Sequence, residues 1–216
     1  MQRRLVASLS FNAVLLAALA AAVRLAGVDR LVLRLGLRHY PPAHFEAIAR
    51  ERFRPAAPGS IVFAGDSLVQ LAPLEDMFGR SVRNRGIGGA YLSDVAIWLP
   101  AVLADRPGRL LLLAGANDVA FRAPLAESAA AARRLCELID CPATIVSVPP
   151  IRGKQAAAAA LNRELKALAA EFGFDWVDVV PALSAMVWTD DGVHLTNQAY
   201  HRIAPLLLAS IGPVSS

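Results

Sequence analysis

From residue 60 onward, short apolar runs alternate with longer stretches of helical period. The runs Ile61–Ala64, Arg109–Ala114, Ala143–Val148 and Trp176–Val180 predict strands, and Ser81–Asn84 predicts a weaker one. Helical patterns lie between them, over Ala90–Leu103, Pro124–Ile139, Gln155–Phe172 and Asn197–Ile211. Strand and helix in turn at this spacing predict an α/β domain, with a five-stranded parallel sheet covered on both faces. LLLLAG and TIVSV are apolar throughout, as strands buried on both sides must be. No internal repeat interrupts the pattern.

The first 58 residues follow a different rule. Leu5 to Val23 carries no charge, with Arg3 and Arg4 before it and Arg24 after it. A helix of about 20 apolar residues spans a bilayer core, so this stretch reads as a retained membrane anchor. Small residues at Ala18–Ala22 make a cleaved signal peptide the rival reading, and a buried or surface-lying helix the third. Arginines flank the segment on both sides, so charge asymmetry fixes no orientation. Val28–Arg38 alternates apolar residues with arginines, as an amphipathic helix beside a membrane would. Pro41-Pro42 ends it, His44–Arg54 predicts a further helix, and PAAPG at Pro55–Gly59 marks the start of the globular part. The expected organisation is an anchor over 1–24, a basic juxtamembrane helical segment over 25–58 and a globular domain over 59–216, outside the cytoplasm if the anchor exports it.

Charge supports that division. Residues 1–58 hold nine arginines against three acids, a net +6, whereas residues 59–216 are net −2. The basic excess therefore belongs to the leading segment. A nucleic-acid partner, which needs a basic face on the folded domain, is not expected. The 56% apolar content is high for a chain without a membrane segment. Cys136 and Cys141 belong to no Cys/His cluster, so no zinc site is expected. They read as two free thiols, or as a pair in an oxidising compartment.

Candidate chemistry sits where predicted strands end. FAGDSLVQL, at Phe63–Leu71, places Ser67 between a strand and a helix start. Ser and Asp there can simply cap the helix; a hydroxyl at a strand's carboxyl end can also be a nucleophile. Asn84–Gly89 is a glycine-rich loop that lets a bare N–H approach a ligand, and its spacing is not that of a phosphate-binding loop. Asn117, in Gly115–Asp118, is either a turn residue or a fixed amide donor to an oxyanion. His194 lies in a polar loop three residues after Asp191, close enough for the carboxylate to orient the imidazole. His201, within the last predicted helix, reads as a surface residue.

Gly65–Leu68 (GDSL), Asn84–Gly89 (NRGIGG), Gly115–Asp118 (GAND) and Asp191–His194 (DGVH) together resemble the four blocks of the SGNH, or GDSL, hydrolases, in order and in spacing. The likeness covers residues 59–212 and is greatest to the platelet-activating-factor acetylhydrolase-like branch. It implies a three-layer, flavodoxin-like α/β/α sandwich and a serine esterase. It also implies roles: Ser67 as nucleophile, His194 as base, Asp191 as its orienting acid, and an oxyanion hole from the Ser67 and Gly89 N–H groups and the Asn117 amide. Asp190 is a rival to Asp191 without the family's spacing. Arg85 is the chief departure from the second block. The implied chemistry is acyl transfer through an acyl-enzyme, with no metal or organic cofactor, on short acyl or acetyl esters of lipids or glycans. The alternatives are transfer of the acyl group to a sugar hydroxyl, and a tethered binding domain without catalysis.

Overall fold

A computed structural model describes residues 21, 40–78, 82–183 and 188–211. The expected anchor over 1–24, apart from residue 21, and residues 25–39 of the basic segment lie outside the described residues. Among the described residues, no helix is long and apolar enough to cross a membrane.

The elements run α1 (Pro42–Arg52), β1 (Ile61–Gly65), α2 (Ser67–Gln70), α3 (Leu74–Phe78), β2 (Val82–Gly86), α4 (Leu92–Ala104), β3 (Arg109–Leu113), α5 (Ala116–Ala120), α6 (Leu125–Leu138), β4 (Ala143–Val146), α7 (Gln155–Phe172), β5 (Asp175–Val177), a 3₁₀ turn (Val180–Ala182) and α8 (Asn197–Ile211). The five strands form one parallel sheet in the order β2-β1-β3-β4-β5. Every residue of β1 and β4 is buried, which is why those strands carry no polar alternation. Helices α4, α6 and α7 pack side by side, while α8 packs on α3 and β5. The result is a three-layer α/β arrangement.

Chain order reverses at β1: the chain leaves it for β2 on one side and then crosses to β3 on the other. Between the carboxyl ends of β1 and β3 lies the crevice where open α/β sheets hold their ligands. The segments that follow these two strands are Asp66-Ser67 after β1 and, after β3, Ala114-Gly115 leading into Ala116-Asn117.

The compact unit begins at Tyr40 and not at the expected boundary of residue 59. The reason is α1. Phe45 is 1% exposed and its ring lies 5.8 Å from that of Trp98, itself buried. The Arg85 guanidinium donates to the Arg54 carbonyl at 2.5 Å and pairs with Asp105 at 3.8 Å, under the Phe53 ring. Ala56 N–H donates to Asp105. Arg85, which departed from the block pattern, thus fastens α1 to the core.

Candidate active site

β1 ends against its neighbour so tightly that a Cβ at Gly65 would lie 1.8 Å from the Leu113 carbonyl oxygen. Only glycine permits that approach, and the chain turns directly into Asp66-Ser67. Asp66 has no exposure; its carboxylate accepts from the N–H of Leu68 at 2.9 Å and of Ala116 at 3.1 Å. One side chain therefore caps α2 and ties the Ser67 turn to the start of α5. Burial pushes the Asp66 carboxyl up to about 7, against the pull of those two N–H donors; Asp118 adds to the rise and His194 opposes it.

Ser67 Oγ lies 2.8 Å from His194 Nε2, across 127 residues of sequence. His194 Nδ1 lies 2.5 Å from Asp191 Oδ2. The other Asp191 oxygen accepts from the Thr189 hydroxyl and from the N–H groups of Val193 and His194, at 2.8–3.0 Å. Partial burial alone would raise the Asp191 carboxyl. The bonds from the His194 ring, the two N–H groups and Thr189 outweigh it and hold the group well below the usual carboxylate range. Asp190 is exposed and offers its backbone carbonyl to Arg152 at 3.2 Å; the acid against the imidazole is Asp191.

The histidine loop is held from outside. Trp188 pairs with Leu195 in an isolated antiparallel bridge, and the Trp188 indole donates to the Pro150 carbonyl. Arg152 N–H donates to Gly192 at 2.9 Å.

The glycine loop after β2 passes beside Ser67. A Cβ at Gly88 would lie 3.8 Å from the Ser67 Cβ. Gly88 N–H donates to the Gln70 side chain at 2.5 Å, and the Asn84 amide donates to the Val69 carbonyl at 2.7 Å. Gly89 takes φ +77°, a left-handed conformation that favours glycine. Asn117, 6% exposed, donates its amide to the Ala90 carbonyl at 2.8 Å. Asp118 accepts from Leu92 N–H at 3.0 Å, so α4 and α5 start from a shared anchor. The fold thus joins Ser67, His194 and Asp191 in one hydrogen-bonded run. It brings the Gly88-Gly89 loop to that run's serine end and links Asn117 to the residue after Gly89.

Sequence reasoning did not foresee the cross-tie by Asp66 or the roles of Asn84 and Gln70. Asp66 was legible only as a cap, since its second bond depends on the β1–β3 pairing. A cavity of about 540 Å³ opens beside Asp118, between Arg122, Lys154 and the first turn of α7; neither Ser67 nor His194 lines it. Cys136 and Cys141 are free thiols, and burial pushes Cys136 up to about 11.

A family model, the GDSL-like Lipase/Acylhydrolase family, matches residues 63–202. The chain belongs to this family. It is accordingly a GDSL-type enzyme of the serine esterase and lipase kind, acting on ester bonds. No curated protein matches the chain. A Streptococcus pneumonia protein named for platelet activating factor is similar in structure, with TM-score 0.64, 21% identity and coverage of 87% of this chain and 97% of that one. Est24, a carbohydrate acetylesterase from Sinorhizobium meliloti, has TM-score 0.59 and 18% identity over 68% of this chain and 95% of its own. Axe2, an acetylxylan esterase from Geobacillus stearothermophilus, has TM-score 0.59 and 20% identity over 74% and 97%. At these identities the likeness is one of fold.

Proposed function

We propose that this GDSL-type enzyme hydrolyses carboxylic esters through an acyl-enzyme on Ser67. The observation that carries the reading is the continuous run from Ser67 Oγ through both ring nitrogens of His194 to Asp191. His194 Nε2 takes the serine proton as Oγ attacks the ester carbonyl, and Asp191 fixes the tautomer and steadies the imidazolium. The tetrahedral oxyanion rests on the N–H groups of Ser67 and Gly89 and on the Asn117 amide. Losing one such donor typically lowers kcat by about 10²–10³. The imidazolium protonates the leaving alcohol; water, deprotonated by the same nitrogen, then releases the acid.

The substrate is a short acyl or acetyl ester of a glycan or lipid. Two of the similar structures belong to enzymes named for carbohydrate acetyl esters. Residues 5–23 hold the enzyme to a membrane, with the catalytic unit outside the cytoplasm; retention of the full chain in membranes washed with alkaline carbonate is the expected result, and its release into the wash contradicts the tether.

Ser67→Ala is expected to abolish hydrolysis of p-nitrophenyl acetate while circular dichroism and melting temperature stay those of the parent. Unchanged turnover in that variant overturns the assignment.

A further inference from the structure

The residue packed on Gly89 comes from outside the family-matched stretch. A Cβ at Gly89 would lie 3.0 Å from Cε2 and 3.2 Å from Cδ2 of Tyr40. The Tyr40 ring therefore lies directly against the backbone whose N–H is the proposed oxyanion donor. It is stacked on His44, with ring centroids 4.3 Å apart and planes 9° apart, and meets Phe45 edge-on at 6.1 Å. Tyr40 and His44 are only half-buried, whereas Phe45 and Trp98 already anchor α1 within the core. A second half-buried ring pair stands where the other donor segment leads: Tyr91, two residues after Gly89, and Phe121, four after Asn117, lie 6.2 Å apart. Phe121 N–H donates to the Asn117 backbone carbonyl at 2.9 Å, which ties the two residues' backbones together. Aromatic rings left partly open to solvent offer flat apolar faces with a polar edge.

We propose that Tyr40, supported by His44, is a specificity-determining residue of the ester site. Its ring is a wall for the uncharged, apolar-faced group next to the ester carbonyl: a short alkyl chain, or the C–H face of a sugar ring. The inference rests on the reading of Ser67 and Gly89 given above. It extends that reading by placing part of the selectivity on a segment that precedes the family's own blocks.

The test uses the full chain with Tyr40→Ala and Tyr40→Phe. One arm varies the acyl group, from p-nitrophenyl acetate to butyrate to octanoate. The other keeps acetyl and varies the alcohol, from p-nitrophenol to an acetylated methyl glycoside. Tyr40→Ala is expected to change the kcat/KM ratio along one arm by about tenfold or more, the scale on which an apolar pocket discriminates. Tyr40→Phe, which keeps the ring, is expected to hold both ratios within about twofold of the parent. The arm that moves identifies the group that meets the ring. Equal scaling of all substrates in Tyr40→Ala, or no change, overturns the proposal, because a merely structural tyrosine alters no ratio. Should Tyr40→Ala fail to fold, Tyr40→Leu keeps apolar bulk against α1 without the flat face, and the same shift or its absence decides. Fluorophosphonate labelling of Tyr40→Ala separates the two levels: a labelled variant with unmoved ratios sinks only the role of Tyr40, whereas absence of labelling in the parent sinks the acyl-enzyme reading.

Discussion

Asp66 and Asp191 lie close to the same serine and are pushed in opposite directions. Asp191 is half open to water and accepts four hydrogen bonds, so its ionised form is favoured. Asp66 is fully buried with two N–H donors, and burial dominates. For Asp191 the folded value is depressed. Its contribution to stability is present above the ordinary carboxylate range and is lost as pH falls through the lower folded value. For Asp66 the folded value is raised. Its contribution is fully present below pH ~4, the unfolded value, and is lost as pH rises to about 7. Urea unfolding between pH 4 and 8 checks this. The parent is expected to lose stability over that window relative to Asp66→Asn, whose side chain does not titrate; parallel profiles contradict the burial argument.

At the scale of elements, periodicity carried most of the fold. Gln155–Phe172 and Asn197–Ile211 stand where their patterns put them, because an amphipathic helix on a sheet needs little more than its own period. The misplaced ends have local causes. β5 is Asp175–Val177 rather than Trp176–Val180, because Asp178 accepts from the Ser147 hydroxyl and from Val180 N–H, both at 3.0 Å, and bends the chain into the 3₁₀ turn. β2 runs on to Gly86, two residues past the expected end, since its register with β1 pairs Arg85 with Ala64 and Gly86 with Gly65. A strand reading VRNRG shows no apolar run, so pairing had to define it. The fate of α1 was hidden for a similar reason. A short helix of balanced charge with one buried phenylalanine looks peripheral until Trp98 is seen to meet it and Arg85 the segment just after it, both far along the chain. Burying a phenylalanine contributes about 1.5–3 kcal/mol, and removal of α1 also strips the Arg85 guanidinium of the Arg54 carbonyl. A chain begun at residue 59 is therefore expected to be about 3 kcal/mol less stable than one begun at residue 40. Equal denaturation midpoints contradict the assignment of α1 to the core.

Across the whole molecule, the four blocks were recognisable in sequence because each follows a strand or precedes a helix that periodicity could place. Their convergence on one face was legible too, from the strand ends they share and from the family likeness. The strand order that achieves it was not, since Ser67 and His194 are 127 residues apart and it is the order β2-β1-β3-β4-β5 that brings the ends of β1 and β3 together. What the sequence hid, namely the Asp66 cross-tie and Tyr40 against Gly89, consists of contacts between residues with no shared periodicity. The sheet, the ties that hold its loops and the polar run across them lead to a single chemical expectation, a covalent ester on one serine. Rapid quench of the enzyme with p-nitrophenyl acetate, followed by peptide mass mapping, tests it most directly. An acetyl adduct on Ser67 alone, absent from Ser67→Ala and strongly reduced in His194→Ala, is the expected result; turnover with no adduct on Ser67, or an adduct on another residue that Ser67→Ala leaves in place, contradicts it.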